Sequence, residues 1–313
     1  MRLTTARGVA ALAVILLCPV AAAAQQPPDK PQAGKPRADR EPPKVPAPPL
    51  FPRHRRGLYK NAQGVEVIDA TPQSPPLEID DPGVPDKGEY EINLMTRADY
   101  AKAARRVDLL SVDANYGVLP AIAGYKLPTQ IKIEFPVAAG REAGEPLRVG
   151  LGAARIGVKV NFYGDERRGI SVSVYPQVEF PTPGGGGVEK GLAESGQTLI
   201  LPLLVARELH ELTFVASAAL KKPIHAPDRE LAAEFGVAAG RAFTRKVAAM
   251  VELRAESSRD ARSERLVFVN AGVIHGVRNV IVYANLGRSL FSGDGVAHTY
   301  AGLGIKVLID PRK

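Results

Sequence analysis

Beyond Gly88 the chain alternates apolar and polar residues with a period of two, the pattern of strands whose successive side chains point to opposite faces of a sheet. In 168–181, Ile170, Val172, Val174, Pro176, Val178 and Phe180 fall on one side and Ser171, Ser173, Tyr175, Gln177 and Glu179 on the other. The window 154–163 sets Ile156, Val158, Val160 and Phe162 against Arg155, Lys159 and Asn161. In 210–221, Leu212, Phe214, Ala216, Ala218 and Leu220 oppose Glu211, Thr213, Ser217 and Lys221. In 247–256, Val247, Ala249, Val251 and Leu253 oppose Ala248, Met250, Glu252 and Arg254. None of these windows fits helical spacing better, so the body is predicted to be all-β.

Twelve such runs are predicted, near 88–97, 105–116, 127–138, 149–162, 169–181, 196–207, 211–221, 229–243, 246–257, 263–275, 278–290 and 296–309. Most exceed the usual globular strand of about 5–6 residues. They match the roughly 9–11 residues, plus overhang, of a tilted strand crossing an outer membrane. The even number and the links agree with that reading. Long Gly/Pro-rich or charged links (TPGGGGVEKGLAES, KKPIHAPD, SSRDARS) alternate with the tight turns Glu208–His210, Thr244–Arg245 and Gly276–Val277. The link Gly117–Lys126 breaks the alternation, being long where a short turn is expected. The predicted fold is an antiparallel transmembrane β-barrel of about 12 strands.

The orientation of the two faces decides between this and a soluble sandwich or lipocalin-like barrel, whose apolar face points inward. In a membrane barrel the polar face lines the lumen. The candidates for that lining are Glu91, Asp113, Lys132, Glu134, Arg155, Lys159, Glu179, Glu234, Glu252, Arg254 and Lys306, which can pair across a polar interior. An Arg or Lys facing lipid at the midplane would instead cost about 2–4 kcal/mol. Arg288 falls on the apolar face, near a strand end from which it can snorkel.

The N-terminus reads differently. Residues 1–24 combine Arg2 and Arg7, the apolar run Val9–Val20 and Ala22-Ala23-Ala24, the form of a cleaved secretory signal peptide. Residues 25–87 are predicted to be a disordered, Pro-rich, basic tether, with a short structured piece around Gly64–Ile68, and 88–313 the barrel. The formal charge of +8 lies in the signal and in 25–60; the remainder is balanced. That leaves the folded body no basic surface with which to track nucleic acid. The single cysteine, Cys18, excludes a disulfide framework and Cys-based zinc sites.

Four segments together resemble a known family: Gly88–Asn93 (GEYEIN), Asp113–Gly117 (DANYG), Gln130–Pro136 (QIKIEFP) and Tyr175–Pro181 (YPQVEFP). They are similar in order and spacing to the outer-membrane β-barrel "transporter" family named for a putative pathway of phenol degradation, over about 88–309. The resemblance implies a bacterial outer-membrane barrel with a leaning toward small hydrophobic or aromatic compounds. It supplies no catalytic residue.

No Gly-x-Ser-x-Gly elbow or phosphate loop occurs, and the five histidines lack metal-ligand spacing. Only His298 with Ser292 could pair as base and nucleophile near one rim. No enzyme activity, cofactor or metal is expected. The expected function is a Gram-negative outer-membrane conduit for small molecules. The expected partners are membrane lipid, the barrel-assembly machinery and an envelope component for the tether. Two alternatives stay open: a soluble periplasmic β-protein that binds lipid or a partner, and a non-conducting barrel that anchors its tether.

Overall fold

The computed structural model describes residues 58–60, 66–101, 104–122, 125–142, 144–165, 168–224, 230–258, 265–277, 279–293 and 296–311. Twelve antiparallel strands form the wall. They are β1 (Tyr90–Tyr100), β2 (Ala104–Val118), β3 (Thr129–Glu142), β4 (Arg148–Leu151 continuing as Ala153–Asp165), β5 (Ile170–Val174 continuing as Gln177–Pro181) and β6 (Gln197–Leu209). There follow β7 (Leu212–Ile224), β8 (Ala232–Ala242), β9 (Val247–Ser258), β10 (Leu266–Val277), β11 (Val280–Ser292) and β12 (Thr299–Ile309). Each pairs with the next, and β12 pairs with β1 from Thr299↔Tyr100 to Ile309↔Tyr90. The ring therefore has no free edge, which is how a sheet satisfies every backbone group inside a bilayer.

All twelve predicted runs are strands, and two are broken by their own residues. At Gly152, between the halves of β4, a β-carbon would lie 2.7 Å from Pro136 Cγ. Pro176 interrupts β5 because it has no amide to donate, yet its carbonyl still accepts the Val158 amide at 3.0 Å.

One end of the barrel carries the short turns. Between β6 and β7 only His210 and Glu211 intervene, with His210 at φ 57, as a two-residue hairpin turn requires. The irregular link falls at this end too: between β2 and β3 a minute hairpin pairs Ala121–Ile122 with Tyr125–Lys126. At the other end the β5–β6 loop folds inward, burying Leu192 against the wall, where Arg106 donates to its carbonyl at 2.9 Å.

The apolar side of the alternation faces out. Ile131, Ile133, Phe135, Ile156, Val158, Leu201, Leu203, Val251, Val269, Val282 and Leu303 are exposed on the outer surface. A soluble barrel would bury these residues, so the inward-apolar alternative is excluded. Tyr90 and Tyr116, with ring centroids 4.6 Å apart, stand at the short-turn end. The exposed Phe162, Tyr163 and Phe243 stand at the same end, where an interfacial aromatic belt is expected.

The Pro-rich stretch read as a disordered tether over 25–87 is corrected in part. Glu66–Ile68 pairs with Leu58–Lys60 in a small hairpin, and residues 67–87 are folded inside the barrel. Ile68 enters beside Gly276 and the Lys246 carbonyl, near the short turns. The segment climbs past Gly240 and Gly272 to its apex at 76–80, then descends to Pro85 and Asp86 beside Gly117 before β1 begins. Both of its ends are thus at the short-turn end. The predicted signal at 1–24 and tether residues 25–57 and 61–65 lie outside the described residues.

Candidate functional site

The candidate site is the barrel interior, which three groups of side chains divide. Close to the short turns of β6–β11 the wall is apolar. Ala206, Val215, Ala238, Ala248, Met250, Ile274, Ile281 and Tyr283 form one core with Ile68, Ala70, Leu77 and Ile79 of the inner segment. Alternation accounts for the wall residues, because each stands on the inward side of its strand. Small ones predominate where the segment must be accommodated. At Gly240 any β-carbon would run into the Ala70 carbonyl, and at Gly272 it would lie 2.9 Å from Pro76.

The second group lies on the opposite wall, on β12 and β1–β5. Lys306 pairs with Glu91 at 2.9 Å. Lys132 lies 3.4 Å from Asp113 and 3.3 Å from Glu134. Arg155 continues the chain, at 3.8 Å to Glu134 and 2.6 Å to Glu179. Amides tie the row together: Asn93 donates to Glu91 at 3.2 Å and to Asp113 at 3.1 Å, and Asn115 donates to Asp113 at 3.0 Å. Lys159 instead meets the inner segment, 3.5 Å from Asp81 and 4.0 Å from Asp80, and donates to the Gly83 carbonyl at 3.2 Å.

The third group stands above the apolar core, toward the long loops. Glu234 lies 2.7 Å from Lys221 and 3.0 Å from Arg254. Glu256 completes the cluster, 3.0 Å from Lys221 and 3.7 Å from Arg254. Arg97 pairs with Asp99 at 2.8 Å and with Glu78, and stacks over Tyr300 at 3.9 Å. Glu252 accepts the amide of Glu78 at 2.9 Å.

All eleven candidates therefore face the interior. Ten carry ion pairs, and Glu252 holds the backbone of the inner segment instead. Opposite charges at hydrogen-bond spacing neutralise one another, so the arrangement is a set of short mixed-sign rows with no stripe of one sign. The candidates omit Arg97, Asp99, Lys221 and Glu256 on the wall, and Gln73, Glu78, Asp80 and Asp81 on the inner segment. A signal for the inner segment exists. Residues 25–60 are basic, whereas 61–87 carry Glu66, Asp69, Glu78, Asp80, Asp81 and Asp86 against Lys87 alone. His298 donates its amide to Ser289 Oγ at 2.9 Å, and its ring stands 6.4 Å from that of Phe268. No cluster of three metal-ligating side chains occurs among the described residues.

No protein-family model matches the sequence, and no curated protein does. Solved structures do match. The crystal structure of an outer membrane channel from Pseudomonas putida F1 superposes with a TM-score of 0.57 at 10% identity, covering 74% of this chain and 100% of that one. The shared fold is that of an outer-membrane β-barrel. The NanC porin (TM-score 0.48, 7% identity, 69% of this chain and 98% of the porin) also matches this barrel. So does the KdgM porin in complex with disordered oligogalacturonate (TM-score 0.43, 8% identity, 69% and 98%).

Proposed function

We propose that the protein is a Gram-negative outer-membrane barrel that conducts small molecules of hydrophobic or aromatic character. We further propose that it belongs with the transporter family suggested by its segments Gly88–Asn93, Asp113–Gly117, Gln130–Pro136 and Tyr175–Pro181. Membrane lipid and the barrel-assembly machinery are its partners, and no catalytic residue is assigned. The observation that carries the reading is the two-sided wall. An apolar outside suits lipid, while the inside joins an apolar sector, Ala206 to Tyr283, to rows of paired charge. Such an interior suits a solute with an apolar body and a small polar group, because both parts find partners on the way through.

The test is permeation into proteoliposomes, preceded by fractionation and gel mobility with and without boiling. Faster entry of phenol-sized aromatics than of sugars of equal size, in a heat-modifiable outer-membrane species, supports the reading. Equal, background-level entry of both overturns it. The occupied lumen favours one other reading, a non-conducting barrel that anchors its N-terminal segment, for which conductance stays at background in every variant.

A further inference from the structure

We infer that residues 69–87 are a gate, withdrawn toward the short-turn end when the lumen opens; this rests on the conduit reading. Four features of the segment argue for a removable element. First, it joins no strand of the barrel, and within 69–87 its bonds to the wall run through side chains. Asn161 donates to the Pro82 carbonyl at 3.0 Å and Ser173 at 2.6 Å, Asn285 donates to the Pro76 carbonyl, and Lys306 donates to Gln73 Oε1 at 2.5 Å. Prolines 72, 75, 76, 82 and 85 have no amide for withdrawal to strand, and the amides of Glu78 and Ile79 are held by a side chain, Glu252.

Second, three of the wall groups that hold it keep other partners when it leaves. Arg97 retains Asp99 at 2.8 Å, Lys306 retains Glu91 at 2.9 Å, and Asn161 retains Ser171 at 2.7 Å. A buried charge left alone would make departure costly, and among the charged wall groups Lys159 and Glu252 lose all the partners named above. Third, entry and exit share one end, so the loop can slide out without being threaded. Gly88, at φ +82, is the hinge into β1. Fourth, the seat is shaped for this occupant, since β-carbons at Gly236, Gly240 and Gly272 would all press on it.

The geometry also supplies the test. A β-carbon built on Gly236 lies 3.9 Å from Ile79 Cβ, within disulfide range. Full-length protein carrying Cys18→Ser, Ile79→Cys and Gly236→Cys is reconstituted in planar bilayers, and its conductance is read before and after reduction. A second protein carrying only Cys18→Ser and Ile79→Cys is treated with a bulky hydrophilic maleimide. The gate predicts loss of conductance in the oxidised double variant, recovery on reduction, and labelling of the single cysteine. Glu78→Gln with Asp80→Asn and Asp81→Asn, which weakens the seat without crowding it, should lengthen the open state. Equal conductance in the locked and reduced forms overturns the gate, as does a cysteine that stays unlabelled while the reduced protein conducts. Labelling with no conductance in either state sustains the movement and overturns the conduit reading instead.

Discussion

Lys132→Met asks how well the inner segment seals the wall behind it. The Lys132 ammonium lies between Asp113 at 3.4 Å and Glu134 at 3.3 Å, and its side chain is 4% exposed. In a water-filled pore such a pair would be worth no more than about 1 kcal/mol, because solvent takes over as soon as one partner goes. Out of water, removing one partner costs about 3–5 kcal/mol, since the remaining carboxylates keep their charge without a counter-ion. The inner segment meets this wall on either side of Lys132, Gln73 at Lys306 and Asp80 and Asp81 at Lys159. Lys132→Met is therefore expected to lower the unfolding free energy by about 3–5 kcal/mol.

Arg148→Met serves as the control. Its partner Glu145 is 3.1 Å away, but the two side chains are 38% and 51% exposed, and the expected loss is under about 1 kcal/mol. The chain has no Trp, so urea unfolding in lipid vesicles is best followed by the gel mobility of the unboiled barrel. Adding Asp113→Asn to Lys132→Met should recover part of the loss, giving a non-additive double-mutant cycle. Equal small losses for Lys132→Met and Arg148→Met would refute the reasoning and make the lumen wet at this depth.

Three further outcomes follow from the same geometry. Leu253→Arg, mid-strand on the lipid face of β9, should destabilise the membrane-inserted barrel by about 2–4 kcal/mol in urea titration, whereas Arg288→Leu, four residues before the loop end of β11 at Ser292, should be close to neutral. Gly240→Ala sets a β-carbon against the Ala70 carbonyl; it should raise conductance while keeping heat-modifiable mobility, and a folded variant with unchanged conductance would count against the fit. Neutralising Arg155, Lys159 and Arg254 together to Gln removes three cations from rows that keep Glu134, Glu179, Glu234 and Asp81. The reversal potential under a salt gradient should then move toward cation selectivity, and an unmoved potential would remove these residues from the conduction path.

Much of the wall was legible because period two is a local property. Val251 and Glu252 point to opposite faces whatever the rest of the chain does, so strand positions and the inward set from Glu91 to Lys306 follow from spacing once one face is known to be polar. Strand length and the alternation of links then favour a membrane barrel. The breaks at Gly152 and Pro176 carry their own residue signatures, and even the irregular link after β2 shows in its length.

Tertiary structure alone decided what fills the barrel and which charge meets which. Within 69–87, where the prolines stand at 72, 75, 76, 82 and 85, the chain forms neither helix nor strand, since a residue without an amide cannot sustain a ladder. Proline content does not distinguish a solvated tether from a segment that gives its few hydrogen bonds to a surrounding wall. That distinction rests on Ile68, Leu77 and Ile79 finding an apolar face, and on glycines 240 and 272 leaving room, across more than a hundred residues of sequence. The pairing of Lys159 with Asp80 and Asp81, while Arg155 pairs with Glu134 and Glu179, depends likewise on register and on where a chain outside the sheet runs. Alternation acts between neighbours and is written in the sequence; enclosure needs the ring to close around its own N-terminal segment, and only the folded chain brings those parts together.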